Sequence, residues 1–188
     1  MELGTGYGGL SLWLALSGNE VVCTDVRHPE KLAGNLHRKY TCTSNIRYEA
    51  VDATKIPYEN QFDIIVFKSI LGGIEKSGKA DRKINTLNEI HKALKPGGVL
   101  LFAENLASSP LHRFLRRKYG TPQWDYLEIG ELEHVFSAFS SVSYTTTGFF
   151  GCFGRTERQR NILGRIDGLL ESFIPKGKRY IISGIAKK

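Results

Sequence analysis

Apolar runs and helical stripes alternate along the first hundred residues, and turn residues mark the joints between them. Residues 10–16 are almost wholly apolar and Gly18 follows, which predicts a short buried helix with a glycine stop. Residues 20–25 read as a strand, 29–40 as a polar-faced helix, 46–50 as a strand and 62–67 as a buried strand. Ile84, Leu87, Ile90 and Leu94 recur every three or four residues behind Asp81, which can cap a helix, and Pro96 forbids its continuation. Leu94-Lys95-Pro96-Gly97-Gly98 is therefore expected to stop that helix and turn into the apolar strand 99–103. Strands and helices in alternation predict a mostly parallel sheet between helical layers.

The later half keeps the alternation but closes differently. Ser109-Pro110 has the build of a cap and first turn, starting a helix through His112, Phe114 and Leu115. Ile129, Leu132, Val135, Phe136 and Phe139 fall on one helical face, and residues 141–146 and 179–185 read as two strands. Between those strands Thr156 and Gln159 form a capping-box pattern. Ile162, Leu163, Ile166, Leu169, Leu170 and Phe173 follow at helical spacing until Pro175. This extra helix, about 156–174, has three roles open to it, covering the active site, forming a partner surface or packing on the sheet, and packing is the one expected.

Candidate chemistry enters at the amino end, where Glu2-Leu3-Gly4-Thr5-Gly6-Tyr7-Gly8-Gly9 joins a strand stub to the first helix. Glycines this dense let backbone turn sharply and approach a ligand. Gly4, Gly6 and Gly9 also satisfy the dinucleotide spacing, so NAD or FAD is open on this motif alone. Asp25, at the carboxyl end of the second strand, is placed to accept both hydroxyls of a ribose. Only residues 1–3 precede the glycine turn, fewer than the five or six of a usual strand, so further strand sequence upstream is expected.

Taken in order, E-x-G-x-G, the acid-led strand Phe62-Asp63-Ile64-Ile65-Val66-Phe67 and the Leu94-Lys95-Pro96-Gly97-Gly98 turn resemble a class I S-adenosylmethionine-dependent methyltransferase of the small-molecule type. The resemblance covers about residues 1–105. It implies an α/β, Rossmann-like, doubly wound sheet of seven mostly parallel strands with helices on both faces, the last two strands forming an antiparallel edge hairpin. It implies S-adenosylmethionine as cofactor, with Glu2 at the methionine part, Gly4, Gly6 and Gly8 forming the loop, Asp25 on the ribose, and Asp52 and Ala53 at the adenine edge. Lys68, after the fourth strand, is a candidate for cofactor or acceptor contact, and with His112 a candidate catalytic group. Many relatives carry a histidine pair where this chain has Gly72-Gly73, so no acid/base pair is expected there. Trp124 and Tyr126 match a tryptophan-containing segment that lines the acceptor pocket in relatives. A single domain is expected, with residues 1–105 as its cofactor half and 106–188 as its acceptor half.

Charge sharpens the acceptor half. The net charge is +7 over 188 residues, yet residues 1–104 hold 13 basic against 12 acidic groups whereas 105–188 hold 13 against 7. That bias suits a small anionic acceptor. No nucleic-acid module or membrane-spanning run is present, and no histidine or cysteine set has metal spacing. Cys23, Cys42 and Cys152 read as free thiols, and together with an amino end lacking the build of a secretory leader they point to a reducing cytoplasm. A nicotinamide-dependent oxidoreductase would share the glycine turn but needs a hydride site such as Tyr-x-x-x-Lys, which does not occur; a non-catalytic or truncated relative would keep the fold without turnover.

Overall fold

The computed structural model describes residues 1–74, 82–121 and 124–188, with backbone alone at 42–43. Seven strands form one sheet in the order β3-β2-β1-β4-β5-β7-β6. They are β1 (Glu2–Leu3), β2 (Val21–Asp25), β3 (Ile46–Ala50), β4 (Phe62–Lys68), β5 (Leu94–Asn105), β6 (Ser141–Thr147) and β7 (Ile181–Lys187). The first five pair in parallel; β7 runs antiparallel between β5 and β6, which makes the expected edge hairpin. Although β1 is only two residues long it is central, pairing Glu2 with both Cys23 and Val66.

Helices α1 (Gly9–Leu16), α2 (Pro29–His37), α3 (Leu71–Ile74), α4 (Arg82–Ala93), α5 (Pro110–Tyr119), α6 (Leu132–Val135) and α7 (Glu157–Leu170) connect the strands. Two cores result. Ala15 and Ala33 cover Val21, Cys23 and Ile46 on one face, while Leu87, Ile90, Leu132 and Phe136 cover Ile65, Phe67, Leu100 and Ile182 on the other. Alternation along each strand sends every second side chain to each layer. The sheet faces solvent at Ile64 and Ile185, 42% and 43% exposed.

Four expectations change in detail. Leu94 pairs with Phe62, so the Pro96-Gly97 turn becomes an irregularity inside β5, with the register shifting between Phe62 and Ile64. Helix α2 stops at His37, where Lys39 and Tyr40 tighten into turns on Leu36 and His37. The helix expected through Phe139 starts at Ile129 behind a Glu128/Glu131 capping box but shrinks to a 3-10 turn at Ile129–Glu131 and the single turn of α6, after which Ser137 and Phe139 bond back in tight turns; Phe136 and Phe139 still bury their rings. Helix α7 has the expected Thr156/Gln159 box but not the expected packing, since Ile162, Leu169 and Phe173 are exposed. Asp81 and the side chain of Cys42 lie outside the described residues.

Candidate active site

The glycine turn sits where β1 ends, at the carboxyl edge of the parallel strands, and Gly4, Gly6 and Gly8 all have positive φ, at 69°, 52° and 78°. Glu2 lies beneath it, buried, and accepts from Thr5 Oγ1 at 2.9 Å and from the Ser11 hydroxyl of α1. Burial pushes its carboxyl above the usual range, while the two hydroxyls favour the charged form. Glu2 therefore fastens strand, turn and helix together. At Gly8 a side chain has no room: the backbone packs on Ala33 and on the His37 ring of α2. His37 Nε2 donates to Gly8 O and Nδ1 faces the Tyr48 hydroxyl, both at 2.7 Å, so this buried imidazole is a wall of the turn.

Asp25 closes the turn from β2. Its Oδ2 accepts from Gly6 N at 3.1 Å and its Oδ1 from Val26 N at 2.8 Å, and it lines a shallow cavity of about 440 Å³ with Val26, Arg27 and His28. Val51 N donates to Asp25 O at 3.0 Å, which brings the end of β3 alongside. There Asp52 Oδ1 accepts from Thr54 N and Thr54 Oγ1, an Asx-type turn at the surface, with Ala53 packed against the core. Hydrogen bonds thus bring the glycine turn and Val51 alongside Asp25, whose crevice is otherwise lined by Val26, Arg27, His28, Lys31 and Leu32.

Past β4 the chain separates this crevice from a second, larger one. Lys68 opens into an apolar cavity of about 640 Å³ on the sheet face, with Leu10, Val66 and Leu101. Ser69 adopts φ 55°, uncommon for a residue with a Cβ. Its amide donates to Ala103 O at 2.8 Å and its hydroxyl accepts from Asn105 Nδ2 at 2.9 Å. Glu104, fully buried, accepts from Leu71 N at 2.8 Å and Asn105 N at 2.9 Å, locking the β4–α3 connection to β5; burial raises its pKa. Gly72 and Gly73 are small because Trp124 lies on them: a Cβ at Gly72 would come within 2.6 Å of both the indole Cε2 and Asp125 O.

The larger cavity, about 740 Å³, is lined by Asn105, Trp124, Tyr126 and Tyr180 and by three arginines, Arg116, Arg155 and Arg160. No Asp or Glu lines it among the described residues. The Arg116 guanidinium stacks 4.0 Å from the Tyr126 ring centroid and donates to Leu106 O; burial works against its charge, lowering its pKa. Arg160 Nε donates to Gly154 O at 3.0 Å, and Arg155 lies over Tyr119. Most of these guanidinium donors have no hydrogen-bond partner among the described residues. Arg113, one turn from Arg116, instead pairs with Glu128 on the surface at 2.9 Å.

His112 also borders this cavity, but its ring is spent. Nε2 donates to Phe149 O at 2.9 Å, so Nδ1 accepts from Ser109 Oγ at 2.7 Å, and burial holds the pKa below 6.5. Lys83 of α4, itself buried, pairs with the more exposed Asp125 and Glu131 and anchors the segment that presents Trp124 and Tyr126. Asp167 of α7 accepts from the amides of Phe149, Phe150 and Gly151, fixing the wall formed by Cys152 and Phe153. Sequence reading missed Ser69 with Asn105, Glu104 as a clamp, and Asp167. Residue type carries no signal for a positive φ or for a carboxylate serving three distant amides.

Residues 1–102 match a family described as "Methyltransferase domain". Among solved structures the chain is similar to Haemonchus contortus phosphoethanolamine N-methyltransferase 2 in complex with phosphomonomethylethanolamine and S-adenosylhomocysteine, at 15% identity and TM-score 0.67, covering all of this chain and 48% of that one. A SAM-dependent methyltransferase from Methanosarcina mazei is similar at 17% identity and TM-score 0.70, with 100% and 90% covered. The cyclase SpnF is similar at 17% identity and TM-score 0.62, with 100% and 73% covered. The chain spans about half the length of the Haemonchus enzyme. No curated protein matches it.

Proposed function

Because the chain belongs to the methyltransferase-domain family through more than half of its length, we propose that it transfers a methyl group from S-adenosylmethionine to a small acceptor carrying a carboxylate or phosphate. The observation that carries the acceptor's charge is the 740 Å³ cavity, where Arg116, Arg155 and Arg160 meet and no described carboxylate lines it. Placing cations in a partly desolvated site costs free energy unless a counter-charge arrives, and guanidinium forks match carboxylate and phosphate oxygens in pairs. The Tyr126, Trp124 and Tyr180 rings suit an acceptor with a planar or apolar body.

The amino-terminal crevice fits the donor. Gly6, with nothing within 4 Å of where a Cβ would stand, leaves the turn open beside Asp25, which holds two carboxylate oxygens there, each with capacity beyond its single amide partner. Asp52 and Ala53 follow Val51, whose amide bonds Asp25, which supports them as the adenine-side residues, and Glu2 acts by holding the turn through Thr5 and Ser11. Bound there, the sulfonium supplies a methyl carbon already activated toward in-line displacement. Ser69 and Asn105 stand between the two sites: Ile70 packs on Gly4, and Asn105 lines the acceptor cavity with its Oδ1 uncommitted. Asn105 is thereby placed to accept a proton-bearing group of the acceptor.

Among the described residues no free base completes the set. His112 has both ring nitrogens engaged and Lys68 opens into a different cavity, so alignment and water exclusion do the work, a contribution that can reach about 7–11 kcal/mol. Calorimetric titration tests the donor site. Asp25→Ala should weaken S-adenosylmethionine by about 2–3 kcal/mol, two hydrogen bonds at the usual worth. Equal affinity in parent and variant, or a preference for NAD, refutes the assignment. Turnover with a panel of carboxylates, phosphomonoesters and their neutral isosteres tests the acceptor; equal use of the neutral set refutes its charge.

A further inference from the structure

Helix α7 is held by one side only. Asp167 faces inward, binding three amides of the 149–151 turn, and Arg160 on the same side reaches Gly154 O. The other side carries Ile162, Ile166, Leu169 and, in the 3-10 turn that follows, Phe173, spaced at four, three and four residues. Leu169 and Phe173 are 79% and 84% exposed. At about 100° per residue these four share one stripe, and Arg158 and Arg165, both exposed, fall along its border. The acids of the segment lie elsewhere: Asp167 is buried inward, Glu171 pairs with Arg179 at 3.2 Å, and Glu157 sits half a turn away from the stripe.

We propose that this face docks on an anionic lipid bilayer, with α7 lying in the plane of the interface. An apolar stripe edged by arginines is the build of an interfacial helix. From Ile162 to Phe173 it runs only about 16 Å, against a hydrocarbon core of about 30 Å, and no described helix is long and apolar enough to cross a membrane. Charge decides between occupants. Residues 105–188 carry 13 basic against 7 acidic groups, so a second copy would set like charges against each other across a self-complementary interface. A phosphatidylserine-bearing surface reverses the sign. Helix α5 repeats the device, with Leu111 and Phe114 exposed beside Arg117 and Lys118.

Co-sedimentation with phosphatidylcholine vesicles, with and without phosphatidylserine, tests this at low and high salt. The chain should partition onto the anionic vesicles, far less onto neutral ones, and the binding should fall as salt rises. Leu169→Asp with Phe173→Asp should reduce partitioning at least about tenfold, and Arg158→Ala with Arg165→Ala about thirtyfold on anionic vesicles alone. Because all four side chains are exposed, melting midpoints should match the parent. Absence of partitioning, equal partitioning onto neutral vesicles, or a Leu169/Phe173 variant that binds like the parent overturns the proposal. A parent dimer that this variant splits, without vesicle binding, also overturns it and assigns the face to a second copy.

Discussion

The same chemical change at three neighbouring glycines should have three different results. Gly9 begins α1 with open space around its Cα, so Gly9→Ala should leave stability unchanged or raise it by about 0.5–1 kcal/mol through lost freedom in the unfolded chain. Gly6 has φ 52° and nothing within 4 Å, so Gly6→Ala carries only the left-handed strain, about 1–2 kcal/mol. Gly8 adds a collision, with the Ala33 Cβ and with His37, whose Cε1 would lie 2.8 Å from the new methyl. Both neighbours are fully buried and His37 is tied to Tyr48, so neither can step aside. Overpacking of this kind costs about 1–3 kcal/mol beyond the strain, for a total of about 2–5 kcal/mol. Urea unfolding should then place Gly8→Ala roughly 1–2.5 M below the parent at a slope of about 2 kcal/mol per molar. Adding His37→Ala should remove the part of the excess that His37 causes and leave the part from Ala33. Equal midpoints for Gly6→Ala and Gly8→Ala would refute the wall assigned to His37.

Further outcomes follow from the rest of the site. Arg116→Met should raise the acceptor Michaelis constant about tenfold to a hundredfold by deleting a charge-assisted pair, whereas Arg113→Met, bound to Glu128 at the surface, should leave it within about twofold; similar effects from both would detach Arg116 from recognition. Burial holds His112 below 6.5, so the unfolded chain takes up the proton first as pH falls. The stability it contributes is full above 6.5 and is lost on acidification. His112→Asn should therefore flatten the decline of the urea midpoint between about pH 7.5 and 5.5; an unchanged slope difference from the parent contradicts this. Asp167→Ala leaves three amides of the 149–151 turn without an acceptor. Exchange of those amides should rise at least about a hundredfold while the sheet keeps its protection, and uniform loss of protection would show that the contact supports the whole fold.

Periodicity and punctuation determined the alternation of elements, because apolar spacing and turn residues act locally: the glycine turn, the Asp25 strand end, the Ser109-Pro110 start and the Thr156/Gln159 cap all stand where the sequence puts them. Local rules also predicted that α7 would be amphipathic. They could not say which way it faces, since Asp167 chooses that by reaching three amides far away along the chain. Three arginines on α5 looked alike in sequence, and only the tertiary arrangement gave Arg113 a carboxylate partner and set Arg116 over Tyr126 inside a cavity that no described carboxylate lines. His112 followed the same logic in reverse: its residue type suggested proton transfer, and its two partners consume both nitrogens. Charge, aromatic content and turn chemistry belong to the chain itself; which charges remain uncompensated is set by the counter-charges that folding brings within reach.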